Sequence, residues 1–191
     1  MLTRPYRSLT VALLLAGCAK PPTLTDFIPQ GAAAVAYVDL ERARESPLFS
    51  RLPVPADLRD ATALLVAFDG KEWTTATRGK AGIMASGTPP HGGRDLLVRA
   101  PRDAAAWVVT RGSVTLPLQG NLGNLNRLLH QADYISAALR GSEIDATAEC
   151  RTAEAARHLE ENIRALATLA KFDALDVASD GLNVRVRATI R

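Results

Sequence analysis

The stretch EIDATAEC, Glu143–Cys150, constrains the fold more than any other part of the chain. Polar and apolar residues alternate in it without a break, so Ile144, Ala146, Ala148 and Cys150 share one face. A period of two fits an extended strand with one covered face and one wet face, and no helix satisfies it. Thr152 follows at a helix-cap position. Ala156, Leu159, Ile163, Leu166 and Ala170 then recur at helical spacing, which predicts a helix running to about Lys171. Residues 175–190 read as a hairpin turning at Asp180-Gly181, a pair suited to positive φ.

The same order of elements occurs earlier. Ala33–Leu40 (AAVAYVDL) reads as a strand with apolar residues on both faces, as a covered strand has. Glu41–Leu52 reads as short helical pieces, with Ser46-Pro47 supplying a cap and a first-turn proline. Thr62–Thr77 is a hairpin joined at Asp69-Gly70. Between the two units lies a turn-rich loop, Gly87–Asp95. After it, Leu96–Ala100 and Ala106–Leu118 look like strands, the second a hairpin around Arg111-Gly112. Asn124–Leu139 reads as a helix broken near Ala132-Asp133. These elements imply an α+β domain, residues 31–191, with a mainly antiparallel sheet and helices on one face. The repeated strand–helix–hairpin suggests two ferredoxin-like halves, packed as lobes 31–90 and 95–191.

The N-terminus carries an address. Arg4 and Arg7 precede an apolar run, Leu9–Ala16, far short of the roughly 20 residues that cross a bilayer as a helix. A basic start, a short apolar stretch and small terminal residues describe a secretory signal peptide, residues 1–17. Its end, Leu15-Ala16-Gly17-Cys18, resembles the lipobox of bacterial lipoproteins. The resemblance implies cleavage between Gly17 and Cys18, a diacylglycerol on the Cys18 thiol and acylation of the new amino group, palmitate being the usual kind of chain. The membrane is then a partner through the lipid. Each buried methylene contributes about 0.8 kcal/mol, and two or more chains anchor stably where one does not. Ala19 is not the aspartate that retains lipoproteins at the inner membrane, so the resemblance favours the outer membrane, facing the periplasm. Ala19–Gln30, with three prolines, reads as a tether, making 18–30 the lipid-anchored linker. Beyond this segment, the order of elements is similar to uncharacterised bacterial lipoprotein families with repeated strand–helix–hairpin units, a likeness that carries over no functional residues.

Removing residues 1–17 lowers the basic count from 23 to 21 against 20 acidic residues, so the formal charge falls from +3 to +1. Basic residues are interleaved with acids and form no stripe with aromatics, which argues against nucleic acid. With Cys18 lipidated, Cys150 has no cysteine to pair with.

The search for chemistry turns up isolated groups. His91 lies in the Gly87–Asp95 loop, His130 on a helix and His158 on the long helix, three residues from Glu161. His158 lacks the second histidine four residues away that a zinc-protease helix needs, and it lies off the apolar stripe, as a solvated residue would. Asp39 is a strand-end site candidate and, more simply, the cap of the following helix. Glu160, Glu161, Asp173 and Asp176 have no partner at diagnostic spacing and read as solvated charge. GNLGN, Gly120–Asn124, lacks the lysine or third glycine of a phosphate loop. RGSV lacks the nucleophile-elbow setting. Trp73 and Trp107 fall in strand patterns and are expected to pack the core. Cys150 ends the alternating strand as a packed thiol. No cofactor or metal is implied. The expectation is a lipid-anchored interaction or carrier protein without catalytic activity. The alternative is an envelope hydrolase assembled from dispersed residues such as Asp39, His91 and His158.

Overall fold

EIDATAEC forms an interior strand of a long sheet, and its alternation becomes two faces with opposite character. A computed structural model describes residues 22–46, 58–86, 92–115, 123–167 and 173–189. Nine strands form one sheet: β1 (Ala34–Asp39), β2 (Ala61–Phe68), β3 (Trp73–Gly79), β4 (Gly82–Ala85), β5 (Ala106–Arg111), β6 (Ala132–Arg140), β7 (Glu143–Cys150), β8 (Ala174–Asp180) and β9 (Asn183–Thr189). Their order is β4-β3-β2-β1-β5-β6-β7-β9-β8, and every neighbouring pair is antiparallel. The helices are α1 (Leu40–Ala43), α2 (Arg94–Val98), α3 (Gly123–Leu129) and α4 (Ala153–Ala167), with a 3-10 turn at Leu24–Phe27. The sheet-dominated, antiparallel α+β class follows directly.

Register assigns each side chain to a face. Val35, Ala67, Leu65, Ala76, Val109 and Trp107 lie on one face, and onto them pack Leu24, Phe27, Ile28 and, from α2, Leu96. Ala148, Cys150, Val184 and Val177 lie on the opposite face, where Ala156 and Leu159 of α4 cover them. The expectation of helices on a single face is therefore corrected. Each half of the sheet hides a different side. The reason is visible in residue choice: Tyr37, Leu65 and Trp107 point to the first face in the N-terminal half, whereas the same face of β7 carries Glu143, Asp145, Thr147 and Glu149.

Strand order also separates the halves. β1 pairs directly with β2, the first strand of its hairpin. β7 pairs with β9, the second strand of its hairpin, leaving β8 parallel to β7 with β9 between them. Only the C-terminal unit has this crossover, with α4 as the connection. The strands on either side of residues 91–94 are joined, β1 to β5, so the sheet runs unbroken from one expected lobe into the other.

Other readings are corrected locally. Leu96 and Leu97 belong to helix α2 rather than a strand; Leu96 is buried and Val98 is 82 % exposed, the one-sided burial of a helix. Five residues, Arg99 among them, are too few for periodicity to decide. The Asn124–Leu139 helix stops at Leu129, and Ala132–Arg140 is a strand paired on both sides, ladder hydrogen bonds outweighing the helix propensity of its alanines. β4 escaped notice, being four residues of mixed character. Leu24, Phe27 and Ile28, expected in the tether, are core residues, and Thr23 and Asp26 form a capping box. Arg111-Gly112 closes no hairpin among the described residues. Gly112 instead lets β5's end approach Ala132, its N–H donating to Asp133 O at 2.8 Å. Residues 116–118 of that expected hairpin, Pro47–Leu52 and residues 168–171 lie outside the described residues. Asp69-Gly70 and Asp180-Gly181 are turns, with φ of 103° and 60° at their glycines.

Candidate functional site

Among the described residues, the face that the N-terminal helices leave uncovered is apolar. Val38 on β1, Ala106 and Val108 on β5, Ala137 and Leu139 on β6 and Ile144 on β7 share it by register. Together they line a groove of ≈ 240 Å³ that contains no charged side chain. α3 and α4 pack against β6 and against β7 to β9, whereas Val108 in the groove is 38 % exposed. On the same face, towards the β4 edge, lie Trp73, 51 % exposed and packed on Phe68 with ring centroids 4.7 Å apart, and Met84, 63 % exposed. Exposed apolar residues gathered on one sheet face are candidates for a binding surface. The groove offers burial and shape without hydrogen bonds, so its chemistry is selection of apolar groups.

The open face of the C-terminal half has the opposite character. Arg140 donates from Nη1 to Asp145 at 2.8 Å and from Nε and Nη2 to Asp103 at 3.2 and 3.0 Å. Arg187 reaches the other Asp145 oxygen at 3.0 Å. Hydrogen bonding from Arg140 holds the Asp103 carboxyl below its ordinary range, and Asp103 in turn raises Arg140. Arg99 pairs with Glu149 at 3.0 Å and lies over the Tyr134 ring at 3.8 Å. Each acid in this lattice has a cation, which makes it a solvated structural surface rather than a set of free catalytic carboxylates.

The residues singled out for chemistry do not converge. The Asp39 carboxylate accepts from Arg42 N at 3.0 Å, the capping role. His158 is exposed on α4, 3.6 Å from Glu161 and 3.8 Å from Glu154. His130 is exposed beside Thr115, 3.3 Å from its hydroxyl. Glu160 accepts from Ser179 N and pairs with Arg164 at 2.7 Å, so it fastens α4 to β8 rather than being solvated charge alone. The Ser179 hydrogen bond lowers its pKa. Cys150 is buried, and burial followed by the nearby Asp133 raises its thiol pKa, which disfavours the thiolate a nucleophile requires. Asp176 lies on β8 and is exposed, as is Asp173 just before it. Trp107 is core as expected, whereas Trp73 is half exposed, a correction that places it on the open face. Among the described residues no group of three His, Cys, Asp or Glu could hold a metal ion, and no helix is long and apolar enough to cross a membrane. Gly17, Cys18, His91 and Gly120 lie outside the described residues.

Comparison of the chain with known protein families, with characterised proteins and with solved structures gives no match. Sequence reasoning missed the groove because apolar residues on both faces of β1 read as a strand covered twice. Ile144 read as part of a covered strand face and Leu139 as the end of a helix, so neither pointed to an open groove.

Proposed function

We infer that this chain is a lipid-anchored envelope protein without catalytic activity, which carries an apolar ligand of the alkyl-chain class on its open sheet face. The observation behind the reading is the uncharged groove bounded by Val38, Val108, Ala137, Leu139 and Ile144. The Leu15–Cys18 resemblance supports anchoring through Cys18, facing the periplasm from the outer membrane. The groove lies at the end of the sheet where β1 finishes and β5 and β7 begin. Thr23, five residues from Cys18, stands at the same end beside Tyr37 and Trp107. An anchored chain would therefore hold the groove close to a source of acyl chains. For the fold, the ferredoxin-like reading is kept for β7–α4–β8–β9 alone, supported by β9 lying between β7 and β8.

The test uses the full chain with Cys18→Ser, free of its own acyl groups, titrated with a fluorescent fatty acid. Saturable binding is expected. Val108→Asp, at an already exposed position, should weaken it about tenfold or more, because an alkyl chain would have to desolvate a carboxylate. Ala137→Trp should block the groove by volume. Absence of saturable binding, or unchanged affinity in both variants, overturns the carrier reading.

A further inference from the structure

On the opposite face, at the same end of the sheet, a second pocket of ≈ 240 Å³ is lined by Thr23, Leu24, Tyr37, Arg78, Arg102 and Trp107. Tyr37 and Trp107 form its floor, ring centroids 5.7 Å apart and 23° from parallel. Both arginines are exposed. Arg102 donates to Leu97 O at 3.1 Å and keeps further donors available. No carboxylate among the described residues pairs with the Arg78 guanidinium. Asp39 and Arg42 also act electrostatically on Tyr37, and the Asp39 carboxylate caps α1. On the same face Arg99, Arg111, Arg140 and Arg187 have carboxylate partners, whereas Arg185 on β9, like Arg78, has none among the described residues. What sets Arg78 and Arg102 apart is that both line one pocket above an aromatic floor.

We propose that this pocket binds a phosphate-type anion, the phosphodiester of a phospholipid headgroup being the source that its position favours. Guanidinium groups present parallel N–H donors that match phosphate oxygens, and a ring floor with Leu24 accepts the carbon portion of a headgroup. Thr23 lines the pocket, and the chain from Thr23 to Cys18 spans at most about 18 Å when extended. With Cys18 lipidated, the pocket cannot leave the headgroup region by much more than that distance. The source, though not the anion site itself, rests on the anchoring reading.

Full-length chain carrying Trp73→Phe leaves Trp107 as the sole tryptophan; it lines both this pocket and the groove, so dependence on Arg78 and Arg102 assigns a signal to the pocket. It is titrated with short-chain phosphatidylglycerol, with short-chain phosphatidylcholine and with inorganic phosphate. The expected result is a saturable change in Trp107 emission with phosphatidylglycerol, weaker with the other two. Arg78→Gln and Arg102→Gln should each raise the midpoint about tenfold or more at unchanged melting temperature. If inorganic phosphate matches phosphatidylglycerol with the same arginine dependence, the anion site stands and the lipid source falls. If neither phosphate nor lipid gives a saturable change, or if both arginine variants bind as the parent does, the proposal is overturned. Labelling of Cys18 with radioactive palmitate is measured separately. Lost labelling with the titration intact removes the anchoring reading and leaves the pocket.

Discussion

At the residue scale, two glycines separate two uses of a missing side chain. Gly181 has φ of 60° with open space where a Cβ would point, so its value is conformational. Gly112 has no left-handed φ, yet an added Cβ would lie 1.7 Å from Ala132 O and 2.5 Å from Leu129 O, both backbone atoms. Gly181→Ala should therefore cost about 1 kcal/mol, and Gly181→Asn less, because asparagine tolerates the left-handed region. Gly112→Ala should cost about 3 kcal/mol or more, since backbone on both β6 and the end of α3 has to move. Urea unfolding of the three variants measures the order. Equal costs at the two sites would mean that β5 and β6 do not approach as described. The turn glycine was readable from Asp180-Gly181, whereas Gly112 looked like another turn, because close approach between strands distant in sequence leaves no local pattern.

At the element scale, α4 is where local sequence and tertiary packing agree. Thr152 Oγ1 accepts from Ala155 N at 3.1 Å, the cap expected from its position. Ala156 and Leu159 are buried on the side facing β7 to β9. Thr152→Ala should lower stability by about 1 kcal/mol, and Thr152→Ser should restore most of it; an unchanged urea midpoint in the alanine variant would refute the cap. Legibility followed the same logic elsewhere. β7 and β9 were plain because their alternation reflects one wet and one dry face. Residues 133–139 were not, because Ala137, Ala138 and Leu139 favour a helix until two neighbouring strands offer hydrogen bonds on both sides. Leu24–Phe27 hid for a related reason: a single turn between prolines shows no period, and only the pocket it fills makes Leu24 and Phe27 core.

At the scale of the whole molecule, what the sequence could not show is which face each strand buries relative to strands far away. The open groove and the Arg78–Arg102 pocket both depend on that relation. One cluster, around Leu65, Val109 and Ile28, and another, around Leu159, Val177 and Val184, sit on opposite faces of one sheet. Among the described residues they lie on opposite faces and are coupled through the ladders joining β1 to β5 and β5 to β6, with side-chain links from Arg99 to Glu149 and from Ser46 to Gly141 O besides. Val109 is a core residue of the first cluster, and its neighbour across the β5–β6 ladder, Ser136, precedes Ala137 in the strand whose Ile135 packs on the second. A shared central strand makes partial unfolding costly: losing either cluster exposes β6 backbone groups on the remaining half. The halves should therefore melt together. Leu159→Ala, at a fully buried site, should cost about 2–5 kcal/mol and lower the melting temperature by of order 4–20 °C. The decisive readout is Trp107 emission in a Trp73→Phe background, because Trp107 belongs to the first cluster while Leu159 belongs to the second. A Trp107 transition that moves with the Leu159→Ala transition seen by far-UV circular dichroism makes the sheet one cooperative unit. A Trp107 transition that stays in place while α4 melts earlier would divide the chain into two independently stable lobes.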